Sequence, residues 1–235
     1  MWLALETAGD RASVAVGWPG RVGGTATLAG SRRHAGALLG LVEQACASAG
    51  AAVEEIEGII VADGPGSFTG LRVAASVAKA LVRSRGLPLW TTPSLIALAA
   101  QSGAPGGGCV VAVSDALRGQ LFATACRFRS GALDILLAPA VFTPEQLAAR
   151  CPPPDAVVVR AGGTCQLPES WAGQAQSVLW PEASALLGLI GLPGGARRIA
   201  DPADWEPDYG RPAEAQTRWE ESHGRRLPDS PGTLR

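Results

Sequence analysis

The stretch GPGSFTGLRVAASVAKALVRSRG, Gly64–Gly86, follows a short β-branched run, GIIVAD (Gly58–Asp63), that reads as a buried strand. Two readings of its opening compete. Glycines before a helix N-terminus can bring free N–H groups and a partial positive charge to an anion. The spacing is not G-x-x-x-x-G-K-[ST], however, and Lys79 lies about two turns into the helix, too far along to serve as a phosphate-binding lysine. The preferred reading is a strand-to-helix turn built from Gly64, Pro65, Gly66, Ser67, Thr69 and Gly70. Gly64 and Gly66 would take positive φ, Pro65 would stiffen the chain, and Ser67 or Thr69 would cap the helix. The helix that follows has two faces. Arg72, Ser76, Lys79 and Arg83 recur at steps of four, three and four, and Leu71, Ala74, Ala75, Ala78, Leu81 and Val82 fill the opposite side.

Outward from this element the period alternates between strand and helix. Trp2–Thr7, Ala12–Trp18 and the weaker Arg21–Gly30 read as a three-stranded meander. An amphipathic helix over His34–Ala49 follows, carrying Leu38, Leu41, Val42 and Ala45 at helical spacing. Leu87–Thr92 is a strand, and Pro93–Gln101 a helix with proline in its first turn. Residues 1–101 therefore read βββαβαβα. After a Gly/Pro-rich linker at 102–108 the order starts again. Cys109–Asp115, Gln120–Phe128 and Ala132–Phe142 are strands, Thr143–Arg150 a helix, Asp155–Gly162 a strand and Pro181–Gly191 a helix. The expectation is an α/β protein of two lobes, 1–101 and 102–200, each a mixed sheet flanked by helices. Residues 201–235 would form a closing segment and a disordered tail.

Composition limits the classes available. The 235 residues are 47% apolar and 17% charged with net charge −1, which suits a globular chain and not one that grips nucleic acid by its own charge. Lys79 is the only lysine. Five scattered cysteines without a CxxC argue against a zinc site or a disulfide framework and fit a reducing cytoplasm. With no signal segment and no apolar run of membrane length, the expected place is the cytoplasm.

Candidate catalytic groups are sparse. Glu6-Thr7-Ala8-Gly9-Asp10 lies between two strands, where phosphate-transferring folds place an aspartate and hydroxyls; it serves better as a hairpin turn. His34 has Ala37 and Leu38 at the positions a second metal ligand would need. Asp115 ends a strand before a turn, which favours a bond to its own turn over a general base. Trp205–Pro212 interleaves aromatics, arginine and prolines, which suits either a docking segment or a strap closing the fold.

Several of these segments together resemble one family. GPGSFTGLR with its Ala-rich helix, LALETAGDRASVAV (Leu3–Val16), RRHAGALLGLVEQAC (Arg32–Cys46), TPSLIALA (Thr92–Ala99), VSDALRGQLFA (Val113–Ala123) and EPDYGRP (Glu206–Pro212) are similar to blocks of the bacterial tRNA threonylcarbamoyladenosine biosynthesis family TsaB, also called YeaZ. The resemblance implies a two-lobed fold of the actin, sugar kinase and Hsp70 type. It implies a subunit without catalytic residues or a cofactor of its own, dimerising with TsaD and joined by TsaE. That complex would use ATP and a metal through those partners and touch tRNA only as an assembly. The metal-binding HxxxH pair of TsaD is here His34 and Leu38, a broken set. The implied partner interface maps onto His34, Leu38, Leu41, Val42, Ala45, Arg72, Ala75, Ser76, Ala78, Lys79 and Arg83, with the small alanines letting two helices approach. Two departures stand out. The family's Asp-Thr-Ser is Glu6-Thr7-Ala8 here, and Asp208 and Gly210 interrupt a closing segment that is usually more apolar. The rival readings are a nucleotide-dependent transferase or protease-like enzyme, and a stand-alone homodimeric binding module.

Overall fold

The computed structural model describes residues 1–30, 34–102, 108–150, 156–162, 165–171, 176–211, 219 and 222–225. Its first sheet is built from β1 (Trp2–Glu6), β2 (Arg11–Trp18), β3 (Arg21–Ala29), β4 (Gly58–Ala62), β5 (Leu89–Thr92) and β11 (Arg197–Arg198), ordered β11-β5-β4-β1-β2-β3. Its second contains β6 (Cys109–Asp115), β7 (Leu121–Arg129), β8 (Ala132–Phe142), β9 (Val157–Ala161) and β10 (Gln176–Leu179), ordered β10-β9-β6-β7-β8. Both sheets share one plan. The first strand pairs antiparallel with the second, the second with the third, and the first runs parallel to the fourth. The repeated order expected from the sequence is thus a repeated topology.

Alternation along the strands explains the layering. In β1, Leu3 and Leu5 face one way and Ala4 the other, the period of two that strand geometry imposes. The leucine side packs beneath α1 (His34–Ser48) and α2 (Phe68–Arg85). The alanine side packs on α3 (Ser94–Gln101) and α5 (Ala183–Leu189), which also cover Val110, Ala112 and Phe122 of the second sheet. Small residues on that side let the two inner helices lie close to both sheets, so the lobes share one core. The far side of the second sheet, with Val111, Val113 and Leu121, is closed by Leu147 of α4 (Pro144–Ala149) and by Trp171. The result is two mixed sheets in alternation with helical layers, the two-lobed fold expected.

One expectation is corrected. Residues 183–199, assigned to the second lobe, return to the first: α5 lies against β1 and β2, and β11 pairs with β5. Strands β10 and β11 were not anticipated, being four and two residues long with little pattern to read. The linker at 103–107, Cys151 and the tail from 226 onward lie outside the described residues; Cys46, Cys109, Cys126 and Cys165 are buried. Among the described residues no helix is long and apolar enough to cross a membrane.

Candidate functional site

The turn between β1 and β2 is filled by the chain itself. Glu6 is fully buried, and its Oε1 accepts the Ala8 N–H at 2.6 Å. The start of α2 lies directly against the same turn. The Ser67 N–H donates to the Ala8 carbonyl at 2.7 Å, and the Thr7 hydroxyl donates to the Gly70 carbonyl at 2.7 Å. Gly66 and Gly70 are glycine because a Cβ at either would run into the carbonyl of Ala8 or Thr7. Ser67 is the helix cap, its hydroxyl accepting the Gly70 N–H at 3.2 Å; Thr69 is exposed and does not cap. Gly64 has φ +115, whereas Gly66, expected to share that conformation, does not; its small size serves close packing instead. The Ser67 and Gly70 N–H groups at the N-terminal end of α2 are thus both bonded within this chain.

Beneath the turn lies a group of buried carboxyls. Burial pushes Glu6 up to about 7 against the pull of the Ala8 N–H, and the neighbouring charge of Asp63 pushes the same way. Asp63 pairs with Arg197 at 2.8 Å, yet burial still raises its carboxyl above the ordinary range. Asp115, the candidate base, is exposed and accepts the Leu117 N–H at 2.7 Å, which is a turn bond.

The closing segment crosses the Asp63–Pro65 turn between β4 and α2 as a strap. Trp205 is buried in the first-lobe core, and the Asp208 N–H donates to the Asp63 carbonyl at 2.7 Å. Gly210, with φ +66, passes so close to Phe122 and Pro65 that a Cβ would lie 2.6 Å from each. Lys79 donates to Glu206 at 3.1 Å and to the Ala203 carbonyl at 3.3 Å. Tyr209 packs on Phe68 in a tilted pair with ring centroids 4.6 Å apart; the Arg72 guanidinium sits 4.0 Å above Phe68 and donates through Nε to the Tyr209 hydroxyl at 3.2 Å. Arg211 then reaches the second lobe, donating to Gln120 Oε1 at 2.6 Å and to the Leu117 carbonyl at 3.3 Å.

The expected interface residues divide into two sets. Leu38, Leu41, Val42, Ala45, Ala75 and Ala78 are all at most 6% exposed and pack in the first-lobe core. They are spent on holding α1 and α2 to the sheet and to each other and cannot meet a partner, which corrects that assignment. A small-residue stripe reads the same in sequence whether it meets a partner helix or its own sheet. Arg72, Ser76 and Arg83 are exposed on the outer side of α2, with Lys79 half-buried beside them. His34 opens α1, and its side chain lies outside the described residues. The sequence reading missed Leu39, 59% exposed on the outer side of α1, and Phe68, 38% exposed. Phe68 stands four residues before Arg72, so its place on the basic face was available from spacing alone. Glu206, Tyr209 and Arg211 lie in the Trp205–Pro212 segment that the sequence offered as a docking segment or a strap; their partners, 91 or more residues away, left no local signal.

A family model described as TsaD, tRNA N6-adenosine threonylcarbamoyltransferase, matches residues 20–193. The tRNA threonylcarbamoyladenosine biosynthesis protein TsaB of Bacillus subtilis (strain 168) is 30% identical over 192 residues, covering 73% of this chain and 76% of that protein. The chain belongs to the TsaB/YeaZ family. Among solved structures, YeaZ from Pseudomonas aeruginosa superposes with a TM-score of 0.70 at 28% identity, over 81% of this chain and 91% of that one. A transferase proper, the tRNA N6-adenosine threonylcarbamoyltransferase of Geobacter sp. (strain M21), is 38% identical over 103 residues, but these are only 30% of its length. The chain thus matches that transferase over 37% of its length and the YeaZ structure over 81%.

Proposed function

We infer that this chain acts in tRNA threonylcarbamoyladenosine biosynthesis as a non-catalytic subunit. It docks the outer side of α1 and α2 on a TsaD-type transferase, with TsaE joining the assembly. The observation that carries the reading is the sealed β1–β2 turn. Where a phosphate-transferring member of the fold would hold nucleotide, Glu6 is buried and bonded to its own turn, and α2 is packed onto that turn through Gly66 and Gly70. Leu38, at the place of the second metal-binding histidine, fills the core instead. Cofactor and metal are accordingly assigned to the partner subunits, and tRNA contact to the complex. The docking face is Leu39, Phe68, Arg72, Ser76 and Arg83, not the alanine stripe.

Gel filtration and pathway reconstitution with the cognate purified transferase test this reading. Ser76→Arg should abolish the complex and leave the melting temperature of the free chain within about 2 °C, since exposed substitutions cost little. Glu6→Gln should leave threonylcarbamoyladenosine formation unchanged. Loss of product with the complex intact would return catalysis to this chain.

A further inference from the structure

The strap joins two surfaces that the fold otherwise leaves separate. At one end Trp205, Glu206 and Tyr209 lie on the first lobe along α2; at the other Arg211 holds the β6–β7 turn of the second lobe. Between them Asp208 and Gly210 are threaded over the Asp63–Pro65 turn with no room for a larger residue at 210. Tyr209 thus lies beside Phe68 and Arg72 on a segment bonded to the first lobe before it and to the second lobe after it. The surface it completes has a definite chemistry. Helix α2 contains no acidic residue, and its outer side carries Arg72, Lys79 and Arg83. The strap's Glu206 compensates Lys79 alone. Arg72 and Arg83, eleven residues apart, stand about 16 Å from each other along the helix at 1.5 Å per residue.

We propose that the strap is half of the docking surface: Tyr209 with Phe68 and Arg72 forms its aromatic anchor, and Arg211 is a positioning residue that keeps the anchor in place from the second lobe. The inference rests on the α1–α2 docking reading and names what that face binds. The occupant is a partner helix bearing an apolar side chain for the Phe68–Tyr209 pair and acidic side chains spaced to meet Arg72 and Arg83. Buried aromatic and arginine anchors dominate such contacts, and the flanking charges set approach rate and salt sensitivity.

Binding of the cognate transferase by the intact chain, measured together with hydrogen exchange of the 205–211 segment, decides the matter. Tyr209→Ala should weaken binding about tenfold or more, as loss of an anchor does. Arg211→Ala and Gln120→Ala, both off the face, should each raise exchange in 205–211 and weaken binding, Arg211→Ala the more because it also loses the Leu117 carbonyl, and the double variant should lose no more than Arg211→Ala alone. Arg211→Lys should restore part of both effects. If Ser76→Arg abolishes the complex while the Tyr209 and Arg211 variants bind within about twofold of the parent, the strap proposal fails and the docking face stands. If Ser76→Arg also leaves binding intact, the face itself is wrong. Weaker binding by Arg211→Ala without a change in exchange refutes the positioning role. Weaker tRNA binding with unchanged subunit affinity would assign the surface to RNA and overturn the proposal.

Discussion

The two sheets share a topology, and each begins with a hairpin whose turn stands at the same place in the plan, yet the turns have opposite fates. The first, Glu6–Asp10, is sealed: Glu6 and Thr7 are fully buried, and α2 is packed onto them. The second, Asp115–Gln120, is bare. Leu117 is 68% exposed, and both Leu117 and Arg118 hold positive φ, 61 and 54, a conformation that costs a residue with a Cβ about 1 kcal/mol or more. The contrast teaches that repeated topology does not dictate repeated use. Where glycines allow a helix to approach, the turn becomes part of the core. The second turn stays outside, and Arg211 fastens it from the strap.

The largest effect expected from breaking this contrast is at the seal. Gly70→Ala pushes a Cβ onto the Thr7 carbonyl and should cost about 3 kcal/mol, read as a lower chemical-denaturation midpoint. The matching Gly119→Ala in the second turn meets open space and should cost only the strain of its φ, +71. An equal loss at both positions would remove the distinction between the turns.

A charge in the seal comes next. Glu6, with its carboxyl raised from 4.5 to about 7, favours folding most below pH 4.5, and that contribution is lost as the pH rises to 7. Glu6→Gln mimics the protonated form, so it should match the parent at pH 4 and exceed it at pH 8 by about 3 kcal/mol, an order-of-magnitude conversion of the shift. A constant difference across that range would mean that Glu6 is charged in the fold. The smallest effect belongs to the bare turn. Leu117→Gly relieves the positive φ and should raise stability by about 0.5–1 kcal/mol at most, offset by glycine's freedom in the unfolded chain. A marked loss would show that Leu117 packs on something.

The sealed turn was half legible. GPGSFTG announced a turn into a helix, and the four-three-four spacing of Arg72, Ser76, Lys79 and Arg83 announced the outer side of α2. What the spacing could not show was the use of Ala75 and Ala78, because close approach looks alike whether the neighbour is the chain's own sheet or another molecule. Gly66 posed the same problem in another form. A glycine needed for φ and one needed for closeness are the same letter, and only the Ala8 carbonyl beside it distinguishes them. The strap contacts, such as Arg211 with Gln120, depend on where two distant segments cross, which no local pattern carries.

Lys79 is the chain's only lysine, and its amine is held by Glu206 and the Ala203 carbonyl where the strap begins. Amine-acylating reagents thus have one lysine target, distinct in a digest from the Met1 α-amine, and its reactivity should report whether 203–206 is seated. The molecule carries its own lysine probe for mass spectrometric footprinting of the strap.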